Sequence, residues 1–161
     1  MTEARAAMHS PGIPRRAGAA TAPVIVVGLD GSPTSWDAFC WAAGEALRTG
    51  GSLIAVYVTP LVESVVVAGA YFDYAAAGQA RQEAAGQLQD EAAQRAGDLG
   101  VPLSFVWELG AAAQCLTSVA RSAGADLVVV GRSVKILHRL AGSLGRQLVS
   151  RHDAPVVVVV P

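Results

Sequence analysis

Short, uninterrupted apolar runs rich in β-branched residues alternate along this chain with stretches of helical spacing. The first run is Val24-Ile25-Val26-Val27-Gly28-Leu29, ended by Asp30-Gly31-Ser32-Pro33, and Asp126-Leu127-Val128-Val129-Val130-Gly131 has nearly the same form. Runs of this length, closed by turn residues, read as strands buried on both faces. Ser52–Val58 and Val101–Trp107 lie between them, and Val156–Val160 ends the series as a five-valine strand introduced by Pro155. Such alternation predicts an α/β domain: a parallel sheet, helices on both faces and right-handed crossovers.

The intervening segments carry helix signals. Ser32 or Thr34 can cap the first helix, Pro33 suits its first turn, and Gly50-Gly51 ends it. Trp36, Cys40, Ala43 and Leu47 form its predicted buried stripe, with Trp41 one position off and partly exposed. A second helix is predicted over Gly78–Asp98, with Ala80, Ala84, Leu88, Ala92 and Ala96 on one face. Its other face spaces Glu91 and Arg95 for an i,i+4 pair. A third, over Ala112–Ala123, turns Leu116, Val119, Ala120 and Ala123 inward, and a short fourth covers Ser143–His152. Trp36 and Trp107 are read as packing residues. The long connection Thr59–Ala77 holds Tyr71, Phe72 and Tyr74, and three readings stay open for it: a lid, a partner surface or an ordinary loop.

Composition agrees with a sheet covered on both sides: 52% of residues are hydrophobic and only 16% are charged. The length of 161 residues suits one core rather than two. No run reaches the roughly 18 apolar residues of a membrane helix, so no membrane association is expected. A net charge of −1 gives no electrostatic basis for nucleic-acid binding. Met1–Ala22 lacks the apolar stretch of a secretory signal and is read as a tail before one domain over residues 23–161, which is expected in the cytoplasm. Cys40 and Cys115 fall in separate helical patterns and read as small buried hydrophobes, and no spacing of Cys and His resembles a metal site.

In doubly wound sheets ligands bind beyond the carboxyl ends of the strands, where strand order reverses. With the first and fourth strands as central neighbours, that crevice is lined by Asp30–Ser32 and the loop after Gly131. Other α/β chemistries lack their residues. GLDGSPTS has no double glycine of a pyrophosphatase-type loop, Gly28-Leu29-Asp30-Gly31 does not fit a dinucleotide fingerprint, and a receiver domain would need more clustered acids. His138 alone of the histidines falls near the crevice, so no catalytic set is assigned.

VIVVGLDGSPTSWDAFCWA resembles the opening strand, turn and helix of universal stress proteins, and GADLVVVGRS…GSLGRQLVSRHDAPVVVVVP resembles their closing segment. The resemblance spans Val24–Pro161. It implies a five-stranded, Rossmann-like sheet of the adenine nucleotide alpha hydrolase type in the order 3-2-1-4-5, and a homodimer through Val156, Val157, Val158, Val159 and Val160. It also implies a nucleotide pocket in which Asp30 lies near base and ribose, Val58 lies against adenine, and Ser32, Gly131, Gly142 and Ser143 contribute. Locally, Asp30 also reads as a turn residue, Val58 as an ordinary strand residue and Ser143 as a helix cap.

Nucleotide-binding members carry Gly, two residues, Gly, nine residues and then Gly-Ser or Gly-Thr after the fourth strand. Here Val134 stands at the second glycine, and only seven residues, Lys135–Ala141, separate it from Gly142-Ser143. A valine disfavours positive φ and puts a branched side chain in the phosphate path. Arg132, Lys135, His138 and Arg139 read either as a solvated basic loop or as cations replacing backbone donors to phosphate, with Arg132, Lys135 and Arg139 the candidate phosphate contacts. The expected function is therefore a non-enzymatic stress-response or signalling homodimer with a degenerate nucleotide pocket and a protein partner the sequence does not name. The alternative is a switch that binds ATP or another adenine nucleotide and hydrolyses it at most slowly.

Overall fold

The computed structural model describes residues 22–60, 74–132, 144–151 and 155–161. Five strands and four helices alternate: β1 (Val24–Gly28), α1 (Pro33–Thr49), β2 (Ser52–Thr59), α2 (Tyr74–Leu99), β3 (Leu103–Leu109), α3 (Ala112–Ala123), β4 (Leu127–Gly131), α4 (Leu144–Val149) and β5 (Val156–Val160). The strands form one parallel sheet in the order β3-β2-β1-β4-β5, so the chain winds outward from β1 in one direction and then returns to wind the other way. Strand alternation splits the core. Ile25, Val27 and Leu53 pack with α1 and α2, while Val26, Ile54, Val128 and Val130 pack with α3 and α4.

The β1–β4 ladder is the shortest. It pairs Ile25 with Leu127, Val26 with Val128 and Val27 with Val129, whereas β2 and β3 run in register from Leu53–Leu103 to Thr59–Leu109. Its amino end is closed by Asp126, whose Oδ2 accepts from the Val24 N–H at 3.0 Å while its own N–H donates to the Val24 carbonyl at 2.9 Å.

Ser32 caps α1, accepting from the Ser35 N–H, with Pro33 opening the helix and Gly50 at φ 65° closing it. The buried stripe differs from the predicted one. α1 buries Ser35, Ala38, Phe39, Ala42, Ala43 and Ala46, whereas Cys40 is exposed and Leu47 is 51% exposed. In so apolar a helix two stripes compete, and the one built on alanines wins because it lets the helix lie closest to the sheet. Trp36 is displaced to the flank. There it meets Phe39 edge to face at 5.5 Å, and the Arg95 guanidinium of α2 lies over its ring at 4.3 Å. Arg95 also bridges to Glu91 at 2.6 Å, the expected pair.

Further boundaries move for local reasons. α2 begins at Tyr74, four residues before the predicted Gly78, and on its inner face Ala80 is exposed, Ala84 and Leu88 are half-buried, and Ala85, Ala92 and Ala96 are buried. β3 begins at Leu103 because Val101 belongs to the cap of α2: Gly100 takes φ 71° and the Val101 N–H donates to the Ala96 carbonyl at 2.9 Å. Cys115 is half-buried rather than buried; burial, and then the charge of Glu108, push its thiol pKa up. Trp41 is 41% exposed, as its position off the stripe implies. Trp107 is half-buried and donates its indole N–H to Thr59 Oγ1 at 2.9 Å.

The two α1 stripes are separated by two substitutions. Phe39→Ala should cost about 3–5 kcal/mol in urea denaturation. Leu47→Ala should stay within about 0.5 kcal/mol. Equal losses would return α1 to the predicted stripe.

Candidate functional site

A cavity of about 230 Å³ opens beyond the carboxyl ends of β1, β2 and β4, on the α3 side of the sheet. Its floor is apolar, made by Val56, Val58, Leu116 and Val130, with Leu144 of α4 at one side. Asp30, Ser32, Thr34 and Ser35 form the rim where β1 turns into α1. The site thus sits where strand order reverses, as expected for this sheet type.

The rim is held by a closed set of hydrogen bonds. Asp30 Oδ1 accepts from the Ser32 N–H at 3.0 Å and from the Ser32 hydroxyl at 2.5 Å. Ser32 Oγ in turn accepts from the Ser35 N–H at 3.3 Å. The Ser35 hydroxyl donates to the Ser32 carbonyl at 2.9 Å and accepts from the Asp30 N–H at 3.3 Å. Gly31 makes the turn at φ 81°, with Leu88 of α2 packed 3.3 Å from where a β-carbon would stand. The Asp30 carboxylate is therefore both an Asx-turn acceptor and an exposed group at the cavity mouth.

Val58 contributes its backbone. The β1–β2 ladder ends at Gly28 opposite Val56, where the Leu29 N–H donates to the Val56 carbonyl, while the Thr59 carbonyl accepts from Gly110 on the β3 side. Alternation along a parallel strand then directs the Val58 N–H and C=O past the end of β1, into the crevice. One donor and one acceptor from a single residue face the same opening.

Two glycines shape the walls. A β-carbon on Gly131 would collide with the Thr34 carbonyl, so the end of β4 rests directly on the first turn of α1. A β-carbon on Gly28 would stand 3.3 Å from Val130 Cγ1 and 3.4 Å from Leu116 Cδ1, tight but against side chains.

Of the residues expected at the site, Asp30, Ser32, Val58 and Gly131 come together at the cavity. Arg132 is exposed beside it, its N–H donating to the Val160 carbonyl at 2.8 Å. Gly142, Ser143, Val134, Lys135, His138 and Arg139 lie outside the described residues, as do Tyr71 and Phe72. The reading missed Gly28, Thr34, Ser35, Val56, Leu116 and Leu144. Gly28 ends an apolar strand and Leu116 lay in the inward stripe of α3, but nothing in their spacing marks a cavity wall. Among the described lining residues, Asp30 is the one ionisable side chain.

Comparison with known proteins follows the same line. The model of the universal stress protein family matches residues 23–160. A structure of a universal stress protein family member from Burkholderia pseudomallei is similar at a TM-score of 0.70 and 26% identity, covering 89% of this chain and 99% of that one. A universal stress protein in complex with cAMP is similar at a TM-score of 0.67 and 26% identity, covering 88% and 99%. The universal stress protein UspA from Lactobacillus plantarum follows at 0.64 and 25%, covering 89% and 100%. No curated protein matches the chain.

The wall glycines give a direct test of the geometry. Gly131→Ala must move backbone and should lose about 1–3 kcal/mol of stability in chemical denaturation. Gly28→Ala, which meets only side-chain atoms, should lose less. The reverse order would contradict the packing of β4 on α1.

Proposed function

Since the chain belongs to the universal stress protein family, we propose that it is a non-enzymatic stress-response protein that acts as a homodimer and takes an adenine nucleotide into the cavity beyond β1, β2 and β4. The observation that carries the ligand is the Val58 backbone beside an apolar floor. Adenine presents an amino donor at N6 and an acceptor at N1, the complement of a C=O and an N–H from one residue. The base stacks over Val56, Val58 and Leu116, and the ribose hydroxyls donate to Asp30 at the rim. The cAMP complex of a relative 26% identical over nearly its whole length supports an adenine ligand.

Guanine reverses this pattern, with a donor at N1 and an acceptor at O6, and would leave both Val58 groups facing like partners. Isothermal titration should show AMP or cAMP binding and GMP weaker by about 10- to 100-fold, the cost of unpaired polar groups. GMP binding as tightly as AMP would exclude this recognition.

The homodimer reading rests on β5. It is an edge strand of five valines, with Val156 65% and Val159 47% exposed, and such an edge invites pairing. Pairing with the same strand of a second copy closes both edges in an isologous way. Sedimentation at micromolar concentration should report a dimer for the chain and a monomer for Val159→Lys. A monomeric parent chain would refute the reading.

A further inference from the structure

Resting on the homodimer reading above, we infer that the second copy is held through the helices that flank β5 as well as through the strand, with Trp41 of α1 as the anchor that roofs the joined strands. Three observations lead here.

The first is size. β5 offers five residues, whereas a stable interface engages about 20–30 residues a side and buries about 800 Å² on each partner. The strand alone falls short, so its flanking elements must take part. α1 packs on one face of β5 and α4 on the other.

The second is direction. α1 packs across β1, β4 and β5, and α2 covers β2 and β3. Trp36 points at α2, under the Arg95 guanidinium. Trp41 follows five residues later, about 140° around the helix, so it leaves α1 on the flank away from α2, on the β5 side. It is exposed there. Leu47, eleven residues after Trp36 and so about 20° from it, belongs to the α2 flank. On the other face Gly145 seats α4 on Val159, and the exposed Val149 lies about 140° around from the cavity-lining Leu144. Trp41, Val149, Val156 and Val159 thus gather around one edge of the sheet.

The third is the gap that pairing leaves. Neighbouring strands stand about 4.8 Å apart, so joining β5 to its copy sets helices seated between β1 and β4 about 19 Å from each other. Helices in contact are about 8–10 Å apart. The two α1 helices therefore cannot cover the β5 pair by touching. Val158 and Val160 face α1, and alternation places Val156 on the same side, so covering these valines takes a side chain that reaches over them. Trp41 has that reach, and an aromatic side chain brings about 150–250 Å² of surface. Beside it the Arg48–Glu45 ion pair supplies a polar rim.

Sedimentation equilibrium would compare the full chain with Trp41→Ala and with Leu47→Ala, an exposed side chain of the same helix on the other flank. Trp41→Ala should weaken the dimer by about tenfold or more, and Leu47→Ala should leave it within about threefold. Iodide should also quench Trp41, isolated as the difference from Trp41→Phe, less in the dimer than after dilution to the monomer. If Trp41→Ala does not fold, that quenching difference decides alone. A dimer that Trp41→Ala weakens by less than about tenfold, or no more than Leu47→Ala does, overturns the anchor and leaves β5 pairing intact. Equal quenching of Trp41 in dimer and monomer does the same. A full chain that is monomeric at micromolar concentration overturns both.

Discussion

The close seat of α1 on the sheet fixes the carboxyl ends of β1 and β4, and through them the cavity. Alanines at 38, 42, 43 and 46 keep the helix surface low, and Phe39 fills the remaining depth. The first turn then comes so near β4 that only glycine fits at 131. Asp30 and Ser32 owe their positions to the same contact, because the turn that carries them must deliver the chain from the end of β1 to that helix. A larger side chain anywhere on the alanine stripe would lift α1 and open the rim.

The fold was legible because buried parallel strands advertise themselves. Val24–Gly28 and Leu127–Gly131 are short apolar runs rich in β-branched residues, and Val156–Val160, at the edge, is all valine and only partly covered. Which face of the alanine-rich α1 is buried was not legible. Periodicity alone cannot choose between the Trp36–Leu47 stripe and the Ala38–Ala46 stripe, since both have the right spacing; what chooses is the depth available above the sheet. The start of β3 was misplaced for another reason, because the cap of α2 consumes Val101, and capping geometry is hidden until Gly100 is seen at positive φ.

At the site, the legible residues were those at strand ends: Asp30, Ser32, Val58 and Gly131. The α/β pattern says where a crevice must open, and strand ends are easy to find. The wall residues Leu116, Val56 and Gly28 were ordinary core positions in sequence, and they become lining only because the sheet ends beside them. The role of the Val58 backbone depends on where β1 stops pairing, a property of two strands together that neither shows alone.

The shortness of the β1–β4 ladder has a consequence for the whole molecule. β3, β2 and β1 form one half of the sheet and β4 and β5 the other, and the backbone joins the halves only from Ile25–Leu127 to Val27–Val129, with Asp126 fastening the far end. The cavity lies where that seam runs out, with β1 and β2 on one bank and β4 on the other. A molecule that touched both banks would act as a staple across the shortest ladder of the sheet. Occupancy would then be coupled to cohesion, since a ligand that recognises the folded seam raises the free energy of opening it by mass action.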